Sequence, residues 1–479
     1  MNLQQPSTAN SPVIVWFRRD LRTSDHAALS AAAATGHPVL PVFVLESGES
    51  DNGSASRWWL HHSLVSLRKE LAVLGLPLVL LRGGALEVLL GLCARSGASE
   101  VHAHHQYEPS DAEREEKFSS ALSMQGIQMH FHPGTLLSEP TDLRTGKGGP
   151  FQVFTPYWKA FANKVRTQEP LPSLDRVRSF EARDIGVSLE SLKLLPSIGW
   201  DGGLRAAWNP GASGAAKNLQ RFLAGPVEHY DSQRDLPHVQ GTSQLSAHLH
   251  FGEISPRQIW HAAKATGPTA APFLRQLVWR EFAHHLLHHF PHTTDKPLRP
   301  QFEDFPWDGD PSLLSTWQKG ETGYPLVDAG MRQLWTTGWM HNRVRMVAAS
   351  FLVKHLLLPW QEGAAWFRDT LVDADLANNT FGWQWTAGCG ADAAPYFRVF
   401  NPTLQGKKFD PEGAYIRRWI PELQNLSKRW IHEPSSAPAL ELATAGVTLG
   451  RDYPHPVIDH AVARERALDC YRRMRMNNQ

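Results

Sequence analysis

The pattern of apolar positions changes character along the chain. Up to about residue 132, short apolar runs rich in β-branched residues alternate with stretches of helical periodicity. The apolar runs are VIVWF at 13–17, PVLPVFVL at 38–45, PLVLL at 77–81, EVHAHH at 100–105 and IQMHF at 127–131. Strands that alternate with helices predict a doubly wound, Rossmann-like parallel sheet of about five strands. FRRDLRTSD follows the first run, so a GxGxxG dinucleotide fingerprint is absent there.

The pattern after residue 132 differs from this alternation. Residues 133–205 are rich in Pro, Gly and Ser and indicate a connection. From residue 206 onward, long segments such as APFLRQLVWREFAHHLLHHF have helical periodicity and are separated by Pro and Gly. The sequence therefore predicts α/β plus all-α architecture, with an α/β domain at 1–132, a linker at 133–205 and a helical domain at 206–479.

Size, charge and cysteine content narrow the class of protein. A chain of 479 residues is long enough for two domains. The 48 basic and 47 acidic residues nearly balance, so any nucleic-acid surface must be local. Three dispersed cysteines favour a reducing compartment. The start MNLQQPSTANSP has no signal-peptide pattern and no apolar run is long enough to span a membrane, so we expect a cytoplasmic, soluble protein.

The stretch DADLANNTFGWQW at 373–385 combines acids, amides and indoles. Asp375 precedes LANN and can cap a helix on which Asn379 and Trp383, four residues apart, share one face. Asp373 would lie near the same helix end. Two interpretations remain open: an N-cap followed by a core aromatic residue, or a site for a planar, nitrogen-rich ligand.

The stretch GTSQLSAHLHFGEISPRQ at 241–258 places small hydroxyls before a helical run. Thr242, Ser243 and Ser246 could offer hydroxyls and backbone N–H groups to a phosphate, or could simply cap the helix. Tyr230 and Arg234, just upstream, could close such a site over a pyrophosphate.

Two segments are basic and lack acids. Four Lys or Arg residues and no acid lie between Asp328 and Glu362, and the segment 393–409 has Arg398, Lys407 and Lys408. Interleaved with aromatic residues, such segments suit nucleic-acid binding, although a solvated face with internal ion pairs would have the same composition. HHLLHH at 284–289 has i, i+4 histidine spacing, but no HExxH motif accompanies it, and we expect no metal.

Several ordered blocks resemble the photolyase and cryptochrome family. They are VWFRRDLR at 15–22, the stretch at 241–258, LVWREF at 277–282, GYPLVDAGMRQLWTTGWMHNRVRM at 323–346, the stretch at 373–385, and DAAPYFRVFNPTLQGKKFD at 392–410. The resemblance covers nearly the whole chain and is strongest to class I cyclobutane pyrimidine dimer photolyases. It implies a helical domain that holds FAD folded into a U.

The resemblance assigns residues to the cofactor. Asp373 and Asp375 would meet polar edges of the flavin and adenine, and Arg345 would pair with an acid there. Asn379 would face flavin N5, where an amide can accept or donate a hydrogen bond. The positions matching cofactor-lining residues are Tyr230, Thr242, Ser243, Gln244, Leu245, Ser246, Arg280, Trp339, Asn342, Arg345, Asp373, Ala374, Asp375 and Asn379.

The resemblance also implies a reaction and its substrate. Trp383, Trp360 and Trp307 match a chain of tryptophans that passes electrons from the surface to the photoexcited flavin. Excited reduced flavin would then donate an electron to a cyclobutane pyrimidine dimer extruded from ultraviolet-damaged DNA. The positions matching substrate contacts are Gln276, Trp279, Asn342, Arg343, Met346, Trp385, Arg398 and Lys407.

The α/β domain would carry an antenna chromophore of the folate or deazaflavin type. Tyr107, Glu108 and Pro109 resemble the antenna region, whereas SRWWLHH at 56–62 has two indoles where some relatives have smaller residues. We expect the protein to be a monomer.

Three alternatives remain open. A signalling cryptochrome often has a long tail after the flavin domain, and here about seventy residues follow KKFD. A (6-4) photolyase typically has a histidine pair in the segment that reads MHNRVRM, and here Met346 is present; however, Gln276 stands where cyclobutane dimer enzymes usually have glutamate. An electron-transferring flavoprotein would explain the flavin and the tryptophans but not the basic segments.

Overall fold

The computed structural model describes residues 11–46, 53–182, 185–393 and 398–477. By Cα proximity the chain divides into two compact units: unit 1 comprises 1–150, 156–225 and 243–289, and unit 2 comprises 151–155, 226–242 and 290–479. This division differs from the predicted boundaries, because residues 243–289 group with the sheet. Long-range bonds explain the grouping: Arg22 donates to the Gly252 carbonyl at 3.0 Å and Trp59 donates to Glu253 at 2.9 Å.

A five-stranded parallel sheet forms the centre of unit 1, as predicted. The strands are β1 Val13–Phe17, β2 Val39–Leu45, β3 Val79–Arg82, β4 Glu100–His104 and β5 Gln128–His132. Their order is β3-β2-β1-β4-β5, and the register aligns Val13 with both Val39 and Glu100. Helices cover parallel strands on both faces, which is why β1 and β2 are apolar throughout.

The rest of the described chain is largely helical. The α-helices are α1 Ala27–Ala34, α2 Ser54–Val73, α3 Ala85–Ser96, α4 Asp111–Ser123, α5 Phe154–Lys164, α6 Gly202–Ala207, α7 Ala212–Leu223, α8 Tyr230–Gln233, α9 Ser246–His250, α10 Pro256–Ala265, α11 Ala271–His289, α12 Leu313–Lys319, α13 Pro325–Thr337, α14 Asn342–Ser350, α15 Trp360–Thr370, α16 Leu376–Ala387, α17 Pro402–Phe409, α18 Ala414–Trp419, α19 Ala439–Ala445 and α20 His460–Asn477. Short 3-10 helices are Glu190–Leu192, Pro226–His229, Pro268–Ala270, Pro291–Thr294, Pro300–Phe302, Pro421–Leu423 and Pro434–Ser436. Within the described ranges, no helix is both long and apolar enough to cross a membrane.

Residues 328–358 of unit 2, DAGMRQLWTTGWMHNRVRMVAASFLVKHLLL, have helical periodicity in the sequence but form three separate pieces. Helix α13 ends at Gly338, whose φ of 67° suits glycine, and α14 begins after His341, whose side chain accepts from the Arg343 N–H. A π-helix, Phe351–His355, follows α14. The breaks leave Asn342 exposed at the start of α14, whereas Met340 and Val344 are buried and α13, α14 and the π-helix all contribute side chains to one apolar core.

Candidate functional site

Arg345 and Asp373 form a bidentate ion pair in unit 2. The Nη2 atom of Arg345 lies 3.0 and 2.8 Å from the two carboxylate oxygens of Asp373, and its Nε donates to the Met340 carbonyl at 2.7 Å. Asp373 is buried, with 3% of its side chain exposed, whereas 22% of the Arg345 side chain is exposed. The pair therefore holds one face of a guanidinium in place and leaves part of the cation accessible.

Asp375 caps helix α16, as one of the two interpretations predicted. Its Oδ1 accepts from the Asn378 N–H at 2.8 Å and from the Asn378 side chain at 2.6 Å. One turn later, Asn379 donates from Nδ2 to the Ala364 carbonyl of α15 at 3.1 Å. That bond orients the amide, and no described residue donates to its Oδ1. Asn379 therefore presents an acceptor oxygen on the face that it shares with Trp383.

Trp383 is enclosed by the unit 2 core. Only 2% of it is exposed, and its ring centre lies 5.0 Å from that of Phe367 and 6.2 Å from that of Trp317. Gly363 on α15 faces the indole so closely that a Cβ there would lie 2.0 Å from Trp383 Cη2. Among the described residues, the buried Nε1 of Trp383 has no hydrogen-bond partner.

The other two members of the predicted tryptophan chain belong to the same core. Trp360 is 2% exposed and begins α15, and Trp307 is half-buried with its ring 4.5 Å from that of Phe305. Trp383 and Trp360 are equally buried, and Trp307 is the most exposed of the three. The electron-transfer role of the three indoles stays a prediction.

The hydroxyl-bearing segment belongs partly to each unit. Thr242 ends a segment of unit 2, whereas Ser243 to Ser246 belong to unit 1. Gln244 has a left-handed φ of 55°, and side chains of α7 hold its neighbourhood: Arg221 donates to the Ser243 carbonyl at 3.3 Å and Asn218 to the Gln244 carbonyl at 3.4 Å. Leu245 is buried.

The helical run predicted after this segment is short. Helix α9 has five residues, and no side chain caps it at Leu245. A strong helix macrodipole is therefore not available there, and the hydroxyls and backbone N–H groups of the segment would have to bind a phosphate without it. The anion site at this helix start stays a prediction.

Tyr230 lies in unit 2, beside Arg234. The Tyr230 ring is buried, and the Arg234 guanidinium carbon lies 5.5 Å from its centre. Trp339 is half-buried and stands 5.9 Å from the Arg345 guanidinium carbon, while Ala374 packs against the unit 2 core.

Helix α11 carries three predicted residues of unit 1. Gln276, Trp279 and Arg280 are three and four residues apart, so they share one helix face, and each is half-buried. Trp279 packs edge-on against Phe282 at 5.9 Å. Arg280 donates to the Thr135 carbonyl at 3.1 Å, which ties the helix to the segment after β5.

A cleft of about 480 Å³ in unit 2 collects basic side chains. It is lined by Ser232, Asp235, Leu236, Arg343, Arg398, Gln405, Lys408 and Phe409. Arg343 donates to Asp235 at 2.7 Å, and its guanidinium carbon lies 4.4 Å from the centre of the Phe409 ring. Three cations against one carboxylate leave the cleft positive, which suits a phosphate backbone.

Lys407, predicted to contact the substrate, does not line this cleft. Lys407 pairs with Glu433 at 3.4 Å, whereas its neighbour Lys408 lines the cleft. Both lysines stood in the acid-free segment, but the rotation of α17 decides which side chain faces the cleft. Residues 394–397 of the predicted block 392–410 lie outside the described residues. Of the other substrate positions, Asn342 is exposed with Nδ2 3.9 Å from the Met346 sulfur, and Trp385 is half-buried on α16.

The residues that resemble the antenna region have polar partners within unit 1. Tyr107 donates to Glu139 at 2.7 Å, and Glu108 pairs with Arg19. The two indoles of SRWWLHH are almost fully buried: Trp58 donates to Asp201 at 2.9 Å, and Trp59 donates to Glu253. These indoles are core residues with satisfied N–H groups, so they are not free to line an open pocket. Chromophore binding stays a prediction.

The histidines of HHLLHH have structural partners. His285 Nδ1 and His289 Nε2 lie 2.9 and 3.2 Å from the Pro140 carbonyl oxygen. Burial lowers the pKa of His285 to about 4, which keeps the ring neutral. One carbonyl holding both rings explains the i, i+4 spacing.

Comparison with known proteins accounts for this set of features. Residues 13–175 match the family model described as DNA photolyase, and residues 273–473 match the FAD binding domain of DNA photolyase. The chain belongs to the photolyase/cryptochrome family. A deoxyribodipyrimidine photo-lyase of Agrobacterium fabrum (strain C58) is 46% identical over 97% of this chain and 98% of that protein.

The chain is also similar to a cryptochrome and to a photolyase of known structure. Cryptochrome-2 of Arabidopsis thaliana is 40% identical over 94% of this chain and 77% of its own length. The crystal structure of a bacterial class III photolyase from Agrobacterium tumefaciens superposes with a TM-score of 0.96 at 44% identity, over 99% of this chain and 100% of that one. The predicted membership of class I therefore has no support.

The unit 2 residues fit a bound flavin dinucleotide. The exposed part of Arg345 can compensate negative charge, and its pairing with Asp373 keeps it in one place. Asn379 offers an oriented acceptor, and buried Trp383 offers an easily oxidised ring without a competing polar partner among the described residues. These are the side-chain functions that binding and reducing a flavin require.

Proposed function

We propose that this protein repairs cyclobutane pyrimidine dimers in ultraviolet-damaged DNA, with FAD as cofactor and light as the energy source. When bound and reduced, FAD supplies the electron that splits the dimer. The observation that carries the choice of DNA repair is the positive cleft of unit 2, where Arg343, Arg398 and Lys408 stand together. A photoreceptor without a nucleic-acid substrate has no need of this arrangement.

The cofactor would be held by residues of unit 2. Arg345, fixed by Asp373, would neutralise charge on the reduced flavin, and Asn379 Oδ1 would accept a hydrogen bond from it. Asp375 would contribute by holding the start of α16, which carries both Asn379 and Trp383. Thr242, the last residue of its unit 2 segment, would contribute a hydroxyl to the pyrophosphate.

The lesion would be recognised by an aromatic and amide set. Trp279 offers a ring for stacking, and Gln276 on the same helix face offers one donor and one acceptor. Extrusion from the duplex costs less for a damaged pair than for an intact one, which is a source of selectivity. Met346 favours cyclobutane dimers, because (6-4) photolyases typically have a histidine pair in the segment that here reads MHNRVRM and carries one histidine, His341.

A blue-light repair assay tests the reaction. Ultraviolet-irradiated oligothymidylate and a (6-4) oligonucleotide are each incubated with the reduced protein under blue light and in the dark. We expect light-dependent loss of cyclobutane dimers only. Repair of (6-4) photoproducts alone would contradict the lesion assignment, and repair of neither lesion, with flavin photoreduction intact, would favour the cryptochrome function.

A salt titration tests the DNA surface. The affinity for damaged DNA should fall with rising salt, and removing a phosphate contact should lower the slope by roughly one ion per contact. Lys408→Ala should lower this slope, whereas Lys407→Ala, whose ammonium is paired with Glu433, should change it less. Equal slopes for both variants and the unchanged protein would place the DNA surface elsewhere.

A further inference from the structure

Strands β4 and β5 place five ionisable side chains on one face of the sheet. In the parallel register His102 is opposite His130, and Glu100 and His132 lie two residues away on the same faces of their strands. His104 also shares this face and accepts from the backbone N–H of Ala27 at the start of α1. The cluster therefore lies on the α1 side, and α1 has the sequence AALSAAAA, whose short side chains leave room for imidazoles.

We propose that Glu100, His102 and His130 form a binding site for a first-row divalent cation, with Zn²⁺ as the representative ion. Glu100 Oε2 lies 3.2 Å from His102 Nε2 and 3.7 Å from His130 Nε2. Two ligand atoms about 2.0–2.1 Å from one tetrahedral zinc are about 3.3 Å apart, so the observed separations, which also suit a His–Glu hydrogen bond, fit a shared ion. Two imidazoles and one carboxylate are a donor set that zinc accepts, with the fourth position left to water.

His132 completes the arrangement as a positioning residue. The His102 Nδ1 and His132 Nε2 atoms are 3.0 Å apart, and the two rings are stacked with centres separated by 5.2 Å. If His102 offers the Nε2 lone pair to a cation, its proton is on Nδ1, where His132 can accept it. Metal-binding histidines usually have such a partner on the second nitrogen.

Exposure provides a path for the ion. The side chains of His130 and Glu100 are 39% and 26% exposed, whereas that of His102 is 5% exposed. The cation would enter from the His130 side and rest on the buried ring of His102. Because β5 is the edge strand, the ion would also join the edge of the sheet to β4.

A second cluster on the same sheet face has a different chemistry. Asp20, His26 and His104 are fully buried, but one nitrogen of each ring accepts from a backbone N–H, so the proton of the neutral ring is on the nitrogen that faces Asp20. His26 Nδ1 accepts from Leu29 N–H and His104 Nε2 accepts from Ala27 N–H, while the remaining nitrogens lie 3.1 and 2.7 Å from Asp20 Oδ2. Each ring can then be a neutral donor to the carboxylate, with no lone pair left for a metal. Of the two clusters, the one formed by Glu100, His102 and His130 therefore suits a cation better.

Equilibrium dialysis of the full chain against Zn²⁺, followed by elemental analysis, tests the site. We expect His130→Gln and Glu100→Gln each to lose one bound zinc per chain, or to bind it at least tenfold more weakly. His261→Gln is the matched control, because it breaks another His–Glu pair, with Glu169 at 3.1 Å, outside this cluster. Mg²⁺ should not compete, because it prefers oxygen ligands. Unchanged zinc binding in both cluster variants, or an equal loss in the control, would overturn the proposal.

The positioning role of His132 has its own readout. His132→Ala should weaken zinc binding by about 10–100-fold, as loss of a ligand-orienting partner commonly does. His132→Gln, whose amide oxygen can accept from His102 Nδ1, should restore much of the affinity. The melting temperature without zinc separates this role from a structural one: equal loss of affinity in both variants, in proportion to a lower melting temperature, would mean that His132 only supports the fold.

Discussion

The contact between Gly363 and Trp383 allows a sharp test of how α15 and α16 pack. Replacing Gly363 by alanine would place a Cβ 2.0 Å from Trp383 Cη2 and 2.5 Å from two further indole carbons. Carbon atoms in contact normally lie about 3.5–4.0 Å apart, so the helix or the ring must move by about 1.5 Å. The indole has little space to retreat, because Phe367 and Trp317 stand against it.

The size of the effect follows from overpacking. Extra methyl groups in a well-packed core cost about 1–3 kcal/mol, and we expect the upper end here because a rigid ring takes the clash. With an unfolding entropy of about 2.1 cal/mol/K per residue, a chain of 479 residues loses about 1 °C of melting temperature per kcal/mol, so the melting temperature should fall by roughly 3 °C. Gly382→Ala is the matched control: it lies on α16 beside Trp383, meets nothing within 4 Å, and should raise stability by up to about 1 kcal/mol.

A double-mutant cycle identifies the cause of the loss. Trp383→Phe removes the part of the indole that the new Cβ would strike, so Gly363→Ala should cost less in that background, with a coupling of about 0.5–3 kcal/mol. Melting temperatures are measured by circular dichroism at equal FAD loading. Two results would contradict the packing argument. One is a Gly363→Ala variant that melts at the same temperature as the unchanged protein, and the other is an equal loss of stability from Gly363→Ala whether residue 383 is Trp or Phe.

Four further outcomes are expected. Asn379→Asp should hinder light-driven reduction of the bound flavin, because an ionised carboxylate can only accept hydrogen bonds and repels the flavin anion. Absorbance measures the reduction, and a rate equal to that of the unchanged protein would make the Asn379 assignment wrong. Trp307→Phe should abolish photoreduction but not repair after chemical reduction, since the half-buried ring is kept; loss of both activities would indicate a structural role. Gln276→Glu should make the repair rate depend on pH near the new carboxyl's pKa without changing the lesion, which a flat pH profile would contradict. Burial lowers the pKa of His341 to about 4 and of His355 to about 3, below the usual 6.5. The stability that these neutral rings contribute is therefore complete above pH 6.5 and is lost as the pH falls toward 4, by up to about 1.4 kcal/mol per pH unit for each ring. Urea unfolding at pH 7.5 and 5.0 measures this loss, and equal unfolding free energies at the two pH values would contradict the prediction.

The strands and most long helices could be predicted because their signals are local. VIVWF at 13–17 coincides with β1, and APFLRQLVWREFAHHLLHHF corresponds to α11 at 271–289. The N-cap role of Asp375 was likewise readable, since a cap and its N–H partner are three residues apart. Periodicity and capping act within a few residues, so the sequence alone carries them.

Other features depended on tertiary structure. Periodicity left residues 328–358 as one helical segment, whereas the structure ends α13 at Gly338 and begins α14 only after His341. Lys407 and Lys408 are chemically alike, and only the orientation of α17 decided that Lys408 lines the cleft.

The sequence by itself determined the fold class, the family and the types of residue available to a flavin and to DNA, because composition, period and ordered motifs are properties of the chain. The tertiary structure decided which groups meet. Arg345 and Asp373 are 28 residues apart, and Arg343 and Asp235 are 108 apart, yet each pair is within hydrogen-bond distance. The Glu100 and His130 pair is likewise a product of strand register. Coulomb and coordination interactions depend on distance in space, and that distance is set when β-strands align and helices pack.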